Sequence, residues 1–152
     1  MFSLNLPSFD TKIIQKEGKP FILDLIRRRY VALTPEEWVR QHFVNYLITY
    51  KGYPMALLAN EVQIQLNGTH KRCDTVLYGR DLSARMIIEY KAPEVKITQK
   101  VFEQITRYNM VLKVDYLIVS NGLCHYCCRV DYQKGSCCFL QEIPDYDQLS
   151  NY

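Results

Sequence analysis

Hydrophobic residues recur at helical spacing in two segments of the chain, and the first of these begins near residue 34. Thr34 is a suitable N-cap, Pro35 follows at the first helical position, and Glu37 stands three residues after the threonine, as in a capping box. This pattern predicts a helix from residue 35 to about residue 50, with one apolar face against a sheet. Its apolar stripe consists of Val39, Phe43, Leu47 and Tyr50, widened by Val44 and Ile48.

The remaining pattern predicts a second helix and a set of strands. Helical periodicity returns at residues 98–112, with Thr98 as the cap. Near the N-terminus, a polar stretch at residues 10–19 is expected to be extended and to lead into a short strand that ends in a basic cluster. Alternating or continuous apolar runs predict strands at residues 21–30, 61–66, 73–78, 85–90, 115–120, 123–132 and 137–142.

The segment 73–90 contains the most informative polar positions. Its two apolar runs flank a turn at residues 79–83, which predicts an antiparallel hairpin. In a symmetric hairpin of this length Asp74 lies opposite Glu89, and Lys91 lies on the same face as Glu89. Like charges directly opposite each other are destabilising, so we expect a divalent cation between the two carboxylates.

Carboxylate oxygens, a backbone carbonyl and water are ligands suited to Mg²⁺, for which Mn²⁺ can substitute. A lysine beside such an ion, here Lys91, can orient or deprotonate an attacking water and offset charge on a phosphoryl transition state. An Asp followed by a later Glu-x-Lys is similar to the core of the PD-(D/E)xK nucleases. The alternative for these residues alone is an exposed hairpin with a salt bridge.

The first helix offers two acids for the same site. Extending the apolar stripe back from Val39 by three residues reaches Glu36, which we therefore expect to point toward the sheet. Glu37 would then serve only the helix cap, although which of the two is the helix acid stays open. Arg40, four residues after Glu36, is its expected partner.

Composition restricts the class of protein. A chain of 152 residues with 48% hydrophobic and 23% charged residues is expected to form one globular domain. No apolar run approaches the roughly 20 residues of a membrane span, and no secretory signal is evident, so we expect a cytoplasmic protein without a membrane partner. Four of the six cysteines form adjacent pairs within strand-like runs, which favours reduced, apolar thiols over disulfides or zinc ligands.

Taken in order, Glu36, Asp74, Glu89, Lys91 and the Gln104-x-x-x-Tyr108 element resemble a known family. The chain is similar to the N-terminal nuclease domain of the type I restriction enzyme R (restriction) subunit, in a standalone form. The resemblance implies an N-terminal extension at residues 1–30, a nuclease-like domain at 31–146 and a tail at 147–152. Its carriers are residues 35–41, 52–54, 71–74, 88–93, 104–109 and 120–122.

This resemblance implies an α/β (α+β) fold of the restriction-endonuclease-like PD-(D/E)xK type, a central mixed β-sheet flanked by helices. It also implies a Mg²⁺-dependent DNA endonuclease in which Asp74 and Glu89 bind the metal and Glu36 binds metal or water. Lys91 would act on the water, while Gln104 and Tyr108 would help to place the lysine and the DNA phosphates.

The implied partners are DNA and a separate helicase/translocase, a specificity protein or a second copy of the chain, with RNA as a second candidate substrate. Cys73 stands where the motif name has Pro, a position that supplies no ligand. The chain contains no P-loop motif, so we do not expect it to be an ATPase. The alternative function is a catalytically silent nuclease-fold module that binds DNA or protein.

Overall fold

The structure, a computed structural model, describes residues 3–66 and 68–149, apart from the side chains of Leu66, Thr69 and residues 108–112. Two sheets and two helices make up the fold, which is of mixed α and β class as predicted. A small antiparallel sheet near the N-terminus comprises β1 (Ile13–Lys16), β2 (Lys19–Leu23) and β3 (Tyr30–Ala32).

The large sheet contains six strands in sequence order, and only its central pair is parallel. Helix α1 (Pro35–Lys51) precedes this sheet, and α2 (Gln99–Leu112) connects the two parallel strands as a crossover. Short 3-10 turns lie at Met55–Leu57 and Tyr146–Gln148. The strands are β4 (Leu58–Leu66), β5 (Thr69–Tyr78), β6 (Ala84–Tyr90), β7 (Tyr116–Ser120), β8 (His125–Asp131) and β9 (Ser136–Leu140).

Helix α1 begins and ends where the sequence predicts. The Thr34 hydroxyl accepts a hydrogen bond from the Glu37 amide at 3.1 Å, and Gly52 ends the helix in the left-handed region at φ 74°. Most of the predicted apolar stripe is fully buried, but Tyr50 is 57% exposed and stacks on Tyr46 outside the core. The buried stripe holds α1 against one face of the large sheet.

The two faces of the sheet carry separate cores. On β6, Met86 and Ile88 pack with α1, whereas Ile87 packs with Phe102 and Ile105 of α2. Side chains alternate between faces along a strand, so the residue after Ile88 returns to the α2 side. The acid at position 89 is therefore directed to the face opposite α1.

The β5–β6 hairpin has the predicted register. Thr75 pairs with Ile88, and continuing that register by one residue brings Asp74 opposite Glu89. A bulge near Tyr78 shifts the pairing by one residue beside the turn and leaves the other end unchanged. The two carboxylates therefore lie together where the paired part of the hairpin ends.

The N-terminal segment packs against the large-sheet domain. The Asn5 amide donates to the Gly122 carbonyl at 2.8 Å, and the Asn5 carbonyl contacts Nε2 of His125 at 2.9 Å. Gly122 has φ +86°, and a Cβ atom there would lie 2.7 Å from the Leu4 side chain. The left-handed backbone conformation at this position favours glycine. No helix in the described part of the chain is long and apolar enough to cross a membrane.

Candidate functional site

Asp74 and Glu89 are close enough to affect each other's ionisation. Asp74 Oδ2 accepts a hydrogen bond from the Tyr90 amide at 2.8 Å, which brings its carboxylate across to β6. Burial, followed by the negative charge of Asp74, raises the pKa of Glu89 to about 8, whereas Lys71 and Lys91 act to lower it. The pair therefore shares a site in which two negative charges are unfavourable.

One oxygen of Glu89 lacks a hydrogen bond. Oε1 of Glu89 is buried and receives no hydrogen bond from any described residue, and Lys71 Nζ lies 3.9 Å from it. A buried carboxylate oxygen without a donor is destabilising, and a bound cation would supply its missing partner.

Two adjacent carboxylates, Asp74 and Glu89, fit the requirement of Mg²⁺, which binds through one or two such groups and keeps several waters. Among the described residues, no group of three or more His, Cys, Asp or Glu side chains is arranged around a common metal position.

Two lysines flank Glu89. Lys91 is half-buried and its charge acts on Glu89, while its backbone amide is fixed by the Ser120 carbonyl at 2.9 Å. Lys71 comes from β5, and the sequence pattern did not single it out. Lys71 pairs with Ile64 of β4 and lies three residues before Asp74 on β5.

An irregularity in β4 and β5 exposes the backbone of Asp74 to helix α1. Asn60 pairs with Thr75 and Val62 with Cys73, so the ladder omits Glu61 and Asp74 between them. Glu61 has φ 58°, outside the extended region. In this gap the Asp74 carbonyl accepts a hydrogen bond from Nη1 of Arg40 at 2.8 Å.

Arg40 is buried and makes ion pairs with two acids. Its Nε and Nη2 atoms donate to the two oxygens of Glu37 at 2.9 and 2.8 Å, and Nη2 also lies 2.7 Å from Glu61 Oε1. Glu37 receives further hydrogen bonds from Arg27 at 3.2 Å and Gln41 at 2.9 Å. Both carboxylate oxygens of Glu37 are therefore occupied by protein donors.

The predicted orientation of the two helix acids is wrong. Glu36 is exposed, whereas Glu37 is only 6% exposed and points inward. One residue turns a helix by about 100°, and the stripe could not distinguish the two because arginine partners stabilise the inward acid. Arg40 pairs with Glu37, not with Glu36 as expected.

A cavity of about 240 Å³ lies where the first turn of α1 meets the sheet. Glu36 borders it, so the exposed acid and Asp74 open onto the same space. The cavity brings together the N-terminal turn of the helix and the irregular part of the β4–β5 ladder. Its lining residues are Thr34, Glu36, Glu37, Arg40, Glu61, Asp74 and Tyr90.

The two predicted residues of α2 are less closely associated with the site. Gln104 is exposed, on a helix whose buried positions include Phe102 and Ile105. Among the described side chains, Gln104 makes no hydrogen bond to Asp74, Glu89 or Lys91. The side chain of Tyr108 lies outside the described residues.

Comparison with known proteins identifies the family. The sequence profile of the family described as Type I restriction enzyme R protein N terminus (HSDR_N) matches residues 35–144. The chain belongs to this family. No curated protein matches the chain.

A solved structure supports the same fold for this HSDR_N-family chain. A fragment assigned to the HsdR subunit of a type I restriction enzyme from Vibrio vulnificus YJ016 superposes with a TM-score of 0.54 at 21% identity. The superposition covers 77% of the present chain but only 24% of the Vibrio chain. The likeness therefore concerns the fold of one part of a longer protein, and it confirms the predicted nuclease-like architecture.

Proposed function

We propose that this HSDR_N-family chain is a Mg²⁺-dependent DNA endonuclease that hydrolyses phosphodiester bonds at Asp74, Glu89 and Lys91. The observation that carries the proposal is the buried Oε1 of Glu89, which receives no hydrogen bond from a described residue and lies beside the carboxylate of Asp74. A purely structural acid in this position would be expected to have a donor for that oxygen. The family membership supports a substrate of DNA rather than RNA.

Asp74 and Glu89 would hold the ion, and Mn²⁺ would replace Mg²⁺ with the same ligands. When bound, the ion supplies Lewis-acid stabilisation of the phosphoryl group and an acidified water. The Lys91 ammonium would orient the attacking water and offset negative charge on the phosphate.

Three further predicted residues would act at the margin of the site. Glu36 lines the same cavity as Asp74 and would bind the ion or one of its waters from the α1 side. Gln104 and Tyr108 would contact the DNA backbone or help to place Lys91, as the family resemblance implies. A separate translocase, a specificity protein or a second copy of the chain would select the DNA, and the protein would act in the cytoplasm.

The test is nicking of supercoiled plasmid, combined with calorimetric titration of Mg²⁺. Wild type should cut in Mg²⁺ or Mn²⁺ and stop cutting in EDTA, while Asp74→Ala and Glu89→Gln should lose both cutting and Mg²⁺ binding. Glu94→Gln is the matched control, because Glu94 is an exposed acid beyond β6. It should behave as wild type. A wild-type protein that binds DNA without Mg²⁺ binding or cutting would instead be a silent binding module.

A further inference from the structure

A closed circuit of buried and partly buried polar contacts joins the N-terminal segment to Asp74. The family match begins at residue 35, whereas Asp24 precedes it, lies between β2 and β3, and is fully buried. Two branches of contacts lead from Asp24 and meet at Asp74. The circuit consists of Asp24, Arg27, Glu37, Arg40, Asp74, Tyr90, Thr75 and Asn60.

The first branch consists of charged side chains. Arg27 Nε donates to Asp24 Oδ2 at 2.7 Å, and Arg27 Nη2 donates to Glu37 Oε1 at 3.2 Å. Glu37 in turn is held by Arg40, whose Nη1 donates to the Asp74 carbonyl at 2.8 Å. This branch fixes the backbone of Asp74.

The second branch uses neutral groups. Asn60 Nδ2 donates to Asp24 at 3.1 Å, and the Thr75 hydroxyl donates to the Asn60 carbonyl oxygen at 2.7 Å. The Tyr90 hydroxyl donates to the Thr75 hydroxyl at 2.9 Å, and the Tyr90 amide donates to the Asp74 carboxylate at 2.8 Å. Asp74 is thus held at its carbonyl by one branch and at its carboxylate by the other.

We infer that Arg40, held through Glu37 by Arg27 and Asp24, is a positioning residue that keeps the Asp74 carboxylate turned toward Glu89. The inference rests on the proposed function for its purpose, since the orientation matters because Asp74 would bind the metal. It also gives residues 24–27, which the family match does not include, a part in building the site.

Arginine is needed at position 40 because its planar guanidinium donates in three directions at once. Nε and Nη2 are taken by Glu37 and Glu61, and only Nη1 reaches Asp74. A lysine keeps the charge but presents a single ammonium, which cannot reproduce this set of contacts. Arg40→Lys therefore loosens Asp74 while leaving the buried acids with a cation.

The first test measures amide hydrogen exchange by NMR at two adjacent residues without any metal. The Tyr90 amide is bonded to the Asp74 side chain, and the Lys91 amide is bonded to the Ser120 carbonyl at 2.9 Å. Arg40→Lys should speed exchange at Tyr90 by about tenfold and leave Lys91 within about twofold. Arg29→Lys, a change at an exposed arginine in the N-terminal segment, should alter neither.

A merely structural Arg40 would give a different result. In a folded Arg40→Lys protein, equal acceleration at Tyr90 and Lys91, or none at Tyr90, would overturn the inference. If Arg40→Lys does not fold, Arg27→Lys decides the matter. Selective but smaller acceleration at Tyr90 supports the inference, and unchanged exchange there rejects it.

The second test is calorimetric titration of Mg²⁺, which separates this inference from the proposed function. Partners that orient a metal ligand commonly change affinity by about 10- to 100-fold, so Arg40→Lys should raise the Mg²⁺ dissociation constant by about tenfold. An unchanged constant in the folded variant would count against the positioning role. Selective exchange at Tyr90 in a protein whose wild type neither binds Mg²⁺ nor cuts DNA would support the positioning role and reject the nuclease.

Discussion

Two carboxylates, the fully buried Asp24 and the largely buried Glu89, have opposite environments. Asp24 accepts hydrogen bonds from the Ile26 amide, from Arg27 and from Asn60; burial alone would raise its pKa, but these bonds outweigh burial and hold the pKa below its ordinary value. Burial and the negative charge of Asp74 raise the pKa of Glu89, and its Oε1 receives no hydrogen bond from a described residue.

This difference distinguishes a structural acid from one that awaits a ligand. The contacts of Asp24 are complete within the chain, so its charge contributes to stability. The contacts of Glu89 are incomplete within the described chain, so its charged form is destabilising until a cation arrives. The predictions below test this contrast, beginning with the largest expected effect.

Removal of the Asp24 side chain should cause the largest loss of stability. Asp24→Ala leaves Arg27 without its closest acid and two backbone amides without an acceptor, so we expect a loss of about 3–5 kcal/mol in unfolding free energy. Urea denaturation measures the change. Asp10→Ala, which breaks an exposed pair with Lys12, is the control and should have no measurable effect. Equal effects of the two substitutions would remove Asp24 from the structural role.

Loss of Lys91 should affect cleavage rather than folding. Lys91→Ala should slow plasmid cleavage by about 10²- to 10³-fold, because the ammonium would act on the water and the transition state. Its Mg²⁺ affinity and DNA binding should largely persist, since the metal ligands are Asp74 and Glu89. Cleavage rates and calorimetric titration on one preparation separate the two effects. If the variant cuts normally, another cation has this role. Lys71, whose Nζ lies 3.9 Å from Glu89 Oε1, would be the first to test.

Without metal, the protein should become less stable as pH rises, because of Glu89. Its folded pKa is raised to about 8, so the native state binds the proton more tightly than the unfolded chain does. Its stabilising contribution is therefore complete below the unfolded pKa of about 4.5 and is lost as pH rises through about 8.

Glu89→Gln should remove this pH dependence. At pH 9 and without metal, the unfolding free energy of the variant should exceed that of wild type by at least about 1 kcal/mol. Near pH 4 the two proteins should differ little in stability. Thermal unfolding across this range checks the result, and added Mg²⁺ should stabilise wild type but not the variant. Parallel pH curves for the two proteins would show that Glu89 has an ordinary pKa.

Substitution of Glu36 should have the smallest effect. Because Glu36 is exposed at the edge of the cavity, Glu36→Gln should change cleavage by only about twofold, and folding should be unaffected. Titration of Mg²⁺ in the cleavage assay would show any change in metal requirement. A loss as large as that of Glu89→Gln would make Glu36 a direct ligand despite its exposure.

Local patterns predicted the elements of the fold well. The capping sequence placed the start of α1, and the symmetric hairpin placed Asp74 opposite Glu89, because both features depend on residues close together in the chain. The three-stranded N-terminal sheet was predicted only as one short strand. The attachment of this sheet depends on the contacts of Asp24 with Arg27 and with Asn60. Asn60 is distant in sequence, and hydrophobic periodicity does not reveal contacts between distant residues.

The candidate site was predicted only in part for the same reason. Sequence spacing identified the carboxylate pair, but it did not identify Arg40 as the partner of the Asp74 carbonyl. That contact requires the interruption of the β4–β5 ladder at Glu61, where φ is positive. Glutamate rarely adopts a positive φ, so nothing in the sequence indicates this conformation. The inward turn of Glu37 is likewise determined by its arginine partners.

The contacts of Asn5 have a consequence for the way the protein is made. Asn5 contacts the backbone of Gly122 and the ring of His125, residues that leave the ribosome more than a hundred positions later. Asp24 likewise has to wait for Asn60. The segment around Asn5 therefore has to remain undocked until β8 has been synthesised. A nascent chain stalled before residue 122 would leave the backbone of Asn5 and the Leu4 side chain without the partners that they contact in the folded protein.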